Sequence, residues 1–195
     1  MHYSLIAATF GIIFLAELPD KTMISSVIMG SKLVPQRVFI GASAAFLLQV
    51  ILAVTVGGLV ARVPRKPLDL TVGLVFIIGA GLILREILTN TVQEEESLAR
   101  SASREGFLPQ VLLAFGVTFI GEFGDLTQIA TANLAAKTAD PLSVGIGSYL
   151  GLLAITTLGI YFGSRVLSKV PIKAVQLFSM LIMTVLGLIS IAAAY

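Results

Sequence analysis

The stretch from Phe107 to Ala135, FLPQVLLAFGVTFIGEFGDLTQIATANLA, decides how this chain is read. It is long enough to cross a bilayer, since about 20 mostly apolar residues suffice. Yet two carboxylates, Glu122 and Asp125, sit near its middle. Charge at that depth is costly and marks function more often than structure. The apolar run is continuous instead of alternating, so it predicts a helix and not a barrel strand. Five further segments match it in length and apolarity, at 4–29, 36–61, 68–88, 142–165 and 172–194. The expected fold is therefore all-α, a polytopic membrane protein with six transmembrane helices.

Composition agrees. Of 195 residues, 56% are apolar and 12% are charged, and the mean hydropathy is +0.98. A soluble domain carries about 25% charged residues, so a water-facing surface cannot be built from this supply. Disorder is excluded as well, because it needs low hydrophobicity and high net charge. There is no cysteine, and His2 is the single histidine. Disulfides, thiolate clusters and histidine-rich metal sites are thereby removed. A net charge of +2 gives no footprint for nucleic acid, which leaves the lipid bilayer as the expected environment. The first apolar stretch is too long for a cleaved signal peptide and contains Glu17 and Asp20.

The connections divide the chain into 1–88, a central segment 89–106 and 107–195. The central segment holds Glu94, Glu95, Glu96, Arg100, Arg104 and Glu105, and reads as a solvated acidic loop. Basic residues favour the cytoplasmic side of a membrane. Arg62, Arg65, Lys66 and Lys137 fall on the side of the termini, while Lys32, Arg37, Arg85, Arg100, Arg104, Arg165, Lys169 and Lys173 fall on the other. This bias puts the central loop in the cytoplasm and both termini outside.

A shift of 105 positions superimposes Phe10-Gly11 on Phe115-Gly116, Glu17 on Glu122, Asp20 on Asp125, Thr22 on Thr127, Ser43 on Ser148 and Gly58 on Gly163. Each half holds three expected spans, and an odd number inverts the second copy. Two inverted three-helix repeats place a substrate site near the midplane, between the halves.

The residues for such a site are at hand in Glu17-Leu18-Pro19-Asp20-Lys21-Thr22 and Glu122-Phe123-Gly124-Asp125-Leu126-Thr127-Gln128. A spacing of three puts each Glu/Asp pair on one helix face, and Gln128 extends the second face by another three. On an ideal helix Thr22 and Thr127 lie about 140° from their glutamates, so they join only where the helix is distorted. Pro19 frees the carbonyl of Leu15, and Gly124 weakens its helix, so distortion is expected at both places. One buried acid could be half of a structural ion pair. Four acids with only Lys21 nearby cannot all stay ionised in low dielectric, so protons or a cation must neutralise them. Ligands that bind a metal when deprotonated and take protons when it leaves form an exchanger. Carboxylate, amide, hydroxyl and carbonyl oxygens suit calcium, magnesium or manganese.

At these two hexapeptides the sequence resembles the GDT-type cation exchangers, also called uncharacterised protein family sixteen, whose pattern E-x-G-D-(K/R)-(S/T) occurs once in each half. The resemblance covers essentially the whole chain. It implies exchange of Mn2+, or of Ca2+, for protons, with manganese export in the bacterial branch and hence a place in a bacterial inner membrane. It puts the acidic metal ligands on Glu17, Asp20, Glu122 and Asp125 and the hydroxyls on Thr22 and Thr127. Two departures stand out: Pro19 replaces the first glycine, and Leu126 replaces the second basic residue, so only the first half carries Lys21. Lys21 is read as a counter-ion for an acid in the empty site, with a polar crevice as its alternative.

Gln128 is expected as a ligand or as a partner of one. Gln49, Ser43 and Ser148 are expected to form hydrogen bonds between helices, and Gly57-Gly58 and Gly145 with Gly147 to allow close packing. Transport driven by protons needs no nucleotide, and the sequence offers no phosphate-cradling glycine loop. The expectation is a secondary transporter, not an enzyme, with no cofactor beyond the transported ion. Two alternatives remain: an intramembrane aspartyl enzyme, because Gly124-Asp125 fits the Gly-Asp of such proteases, and an uncoupled cation channel.

Overall fold

The computed structural model describes residues 2–17, 21–60, 70, 73–74, 77–81, 84–85, 87–88, 91–166 and 172–193. Among them the regular elements are helices: α1 Tyr3–Glu17, α2 Lys21–Lys32, α3 Pro35–Val60, α4 Thr91–Ala102, α5 Phe107–Gly121, α6 Leu126–Thr138, α7 Pro141–Val166 and α8 Ile172–Ala193. The all-helical expectation holds. The two long helices each open on a proline, which suits a first helical position because its missing N–H would have no partner there. At α7 the turn is fixed further by Asp140, whose carboxylate accepts from the Ser143 N–H (3.1 Å) and hydroxyl (2.6 Å).

Among the described residues, two helices are long and apolar enough to cross a membrane alone, Pro35–Gly57 and Pro141–Phe162. Their outward faces carry Leu47, Leu48, Ile51 and Leu52, and Tyr161 and Phe162, as lipid contact requires. The distortion expected at Pro19 and Gly124 goes as far as a full break, since neither the first nor the fourth expected span is one continuous helix. The first is α1 plus α2, with axes 74° apart. The fourth is α5 plus α6, separated by residues 122–125. Of the expected third span, the described residues are all helical, and the remainder lies outside them.

Each long helix packs on a broken pair distant in sequence: α3 on α5 and α6, and α7 on α1 and α2, while α3 and α7 meet each other. Glycine makes these crossings close. A Cβ on Gly147 would lie 2.6 Å from the Ile6 carbonyl oxygen, and one on Gly57 would collide with the Ala132 carbonyl. Gly145, by contrast, has only ordinary contacts with Val50 and Val54. Ile13, Ala42, Phe46, Val50 and Leu152 form a buried apolar cluster joining α1, α3 and α7.

The central segment also differs from expectation. Instead of a solvated loop, residues 91–102 are helical, and Ala99 and Ala102 pack with Met29, Leu33, Val38, Ala114 and Ile160. Small alanines on one face let α4 lie against α2, and charge reinforces the contact: Lys32 Nζ is 3.1 Å from Glu96 and Arg100 is 2.6 Å from the same carboxylate. Buried Gln110 ties the joint. Its Nε2 donates to the carbonyls of Ala102, Ser103 and Glu105, and its Oε1 accepts from the Val34 N–H.

Candidate metal centre

Both helix breaks fall at the acidic hexapeptides. The last turn of α5 closes when the Glu122 N–H reaches the Thr118 carbonyl at 3.1 Å. The chain then turns through Gly124, whose φ of +80° is left-handed backbone that suits glycine. Asp125 is the N-cap of α6, with an extended ψ of 165°. An aspartate at that position usually accepts from the backbone of the first turn, but here the side chain makes no cap bond. Gln128 stabilises the turn instead: its Oε1 accepts from the Gly124 N–H at 2.9 Å. The sequence argument that put Gln128 on a continuous face with Glu122 and Asp125 fails here, because the helix is interrupted between them. Its oxygen supports the break, its Nε2 has no hydrogen-bond partner among the described residues, and the side chain lines the neighbouring pocket.

The breaks bring acids from the two halves together. Carboxylate oxygens of Glu17, Glu122 and Asp125 all lie within 4.8 Å of one another. Glu17 is fully buried and Glu122 nearly so. On α1 the buried positions are Thr9, Ile13 and Glu17, one residue per turn, so Glu17 ends the stripe that faces α7. Two charges at that separation repel by about 3–4 kcal/mol even at an effective dielectric of 20. Protons or a cation among its oxygens would relieve that repulsion. Three carboxylates at this spacing suit a hard divalent cation.

Asp20 lies outside the described residues, as do Pro19 and the side chain of Lys21. Thr22 is buried in the first turn of α2, and its Oγ1 has no hydrogen-bond partner among the described residues. Thr127 is buried in the first turn of α6. It shares a small pocket with Phe46, Gln49, Glu122, Gln128 and Thr131. The interruption between α5 and α6 is what lets Thr127 share a pocket with Glu122 despite the ideal-helix geometry that would point it away. Gln49 and Ser148 bond between helices as expected: Gln49 Nε2 donates to the Phe119 carbonyl at 3.0 Å, and Thr131 and Ser148 share a buried bond of 2.9 Å. Ser43 does not, since its buried hydroxyl lacks a partner among the described residues. Thr131 was missed by sequence reasoning, although it lies one turn beyond Thr127 on the same helix and the i, i+4 spacing could have found it.

The family model described as "Divalent cation/proton antiporter GDT1" matches residues 5–91 and 110–195. This chain belongs to the GDT1 family. The GDT1-like protein sll0615 of Synechocystis is 28% identical over 200 residues, covering 95% of this chain and 97% of that protein. GDT1-like protein 5 of rice is 37% identical over 84 residues, 43% of this chain and 36% of that protein. The chloroplastic PAM71-homolog of Arabidopsis thaliana is 26% identical over 193 residues, 86% of this chain and 54% of that protein. No solved structure matches. Membership of the GDT1 family makes this a membrane protein whose relatives exchange divalent cations for protons.

Proposed function

We propose that this chain is a secondary transporter that exports a divalent cation, Mn2+ before Ca2+, in exchange for protons entering. The observation that carries the reading is the convergence of Glu17 from α1 with Glu122 and Asp125 from the α5–α6 break. Three negative charges that close need neutralising, and a metal ion and protons are alternative ways to do it. Asp20 would complete the acidic set by its register with Asp125, Thr22 and Thr127 would add hydroxyl oxygens, and Lys21 would neutralise an acid while no metal is bound. The proposed architecture is six spans in two inverted three-helix repeats. It is supported by the 105-residue register and by the way α3 and α7 each grip the other half's broken helix. Rocking of one half against the other would open the acids to each side in turn. We place the protein in a bacterial inner membrane, with the segment around α4 cytoplasmic and both termini outside, following the basic-residue bias.

Flux into proteoliposomes, with Mn2+ and Ca2+ in turn and with or without an imposed pH gradient, tests this. Metal movement should follow the proton gradient and dissipate it. Glu17→Gln, Glu122→Gln and Asp125→Asn should each lower Mn2+ flux by about tenfold or more, as loss of a metal-site interaction typically does. Lys21→Ala should shift the pH dependence of flux. Undiminished flux in all three acid variants would reject the site, and metal flux indifferent to the proton gradient would make the protein a channel.

A further inference from the structure

Gln49 stands at a place the acidic motifs do not reach. It is 3% exposed near the middle of α3, and its Nε2 donates to the Phe119 carbonyl at 3.0 Å. The last carbonyls of a helix have no partner within it. Phe119 is two residues from the end of α5, where the helix would have continued to Phe123 had the chain not turned. Gln49 therefore supplies from α3 the donor that the break took away, three residues before Glu122. A carbonyl acceptor fixes the amide's orientation, because only its NH2 can donate. The atom left to offer is Oε1, and Gln49 lines the same pocket as Glu122, Thr127 and Thr131. The position 105 residues later is Ala154, so this amide has no counterpart in the other half.

We propose that Gln49 is a positioning residue and neutral oxygen donor of the ion site, its Nε2 holding the broken end of α5 and its Oε1 facing the transported cation. This rests on the carboxylate trio being the transport site. A neutral ligand adds affinity without releasing a proton, so Gln49 tunes how tightly the metal is held and leaves the number of exchanged protons to the acids. The chemistry also gives an asymmetric cage, with an amide oxygen contributed by α3 and an alanine at the matching place on α7.

The test compares two buried glutamines in proteoliposomes, with Mn2+ alone as the probe. Gln49→Met keeps the volume and removes both polar atoms. It should raise the Mn2+ concentration for half-maximal flux about tenfold or more, leave the proton-to-metal ratio unchanged, and weaken protection by Mn2+ against thermal unfolding in detergent. Gln49→Asn, a milder change, should raise half-saturation several-fold. Gln110→Met removes an equally buried amide that holds α4 and lies outside the pocket, and should lower stability with half-saturation unchanged. Half-saturation within twofold of the parent in both Gln49 variants would overturn the proposal, and so would a Gln49→Met profile identical to that of Gln110→Met. Where Gln49→Met does not fold, half-saturation in Gln49→Asn decides. Full flux in Glu17→Gln, Glu122→Gln and Asp125→Asn alike would instead sink the transport site itself, a separate outcome.

Discussion

Gly124 and Asp125 show how two neighbouring residues divide the work of a helix break. The glycine accepts a left-handed φ, and the aspartate leaves its cap unmade so that its carboxylate can join Glu17 and Glu122. A Cβ at Gly124 would meet nothing within 4 Å, so Gly124→Ala isolates the backbone term. The left-handed conformation costs an L-residue about 1–2 kcal/mol. The variant should unfold at lower temperature in detergent, and its Mn2+ flux should fall because Asp125 is re-aimed. An unchanged melting temperature and flux would show that the turn carries no such constraint. Charge was legible at this scale: carboxylates inside apolar runs announce themselves, and the 105-residue register paired Glu17 with Glu122 before any coordinates. What Gln128 does was not legible. Its Oε1 bonds the Gly124 N–H only because the helix stops, and its spacing from Asp125 is equally good for a continuous face.

At the scale of elements, the chain's small residues set how near the helices come. Without a hydrophobic force between helices in lipid, close backbone contact carries much of the association. Gly147→Ala puts a methyl 2.6 Å from the Ile6 carbonyl oxygen and 2.8 Å from Thr9 Cβ, so α1 and α7 must separate. Overpacking of this kind costs about 1–3 kcal/mol. Gly116→Ala, in α5, has open space around it and should raise stability by as much as about 1 kcal/mol through helix propensity. Opposite signs in thermal unfolding are the expected result, and equal signs would contradict this account of the crossing. Hydropathy marked the segments that are helical but not their interruptions, because a missing i to i−4 bond has no signature in side-chain polarity. Pro19 and Gly124 pointed to the breaks, whereas α4 escaped notice because, among its described side chains, the buried ones are just Ala99 and Ala102 in a charged run.

For the molecule as a whole, α4 ties the two halves through a contact that pH can loosen. The Arg100 guanidinium bonded to Glu96, with Lys32 beside it, holds that carboxyl below its ordinary value of 4.5. A carboxyl lowered on folding adds stability above its unfolded value, and that stability disappears as pH falls through the lowered one. Protection of the α4 amides against hydrogen exchange, taken relative to the intrinsic rate at each pH, should therefore be steady from pH 7.5 to about 5.5 and fall below about pH 4, the range in which carboxylates protonate. Glu96→Gln should abolish that acid step, and an identical acid step in the variant would assign it to another group. The interlocking of α3 with α5 and α6, and of α7 with α1 and α2, also bears on how the chain is made. Synthesis proceeds from the N-terminus at about 5–20 residues per second. For several seconds the newborn first half must wait in the insertion machinery or bilayer, with Gly57 facing no Ala132 and Glu17 lacking Glu122 and Asp125. A cell making this protein therefore has to shelter an immature, acid-bearing intermediate until translation supplies the rest.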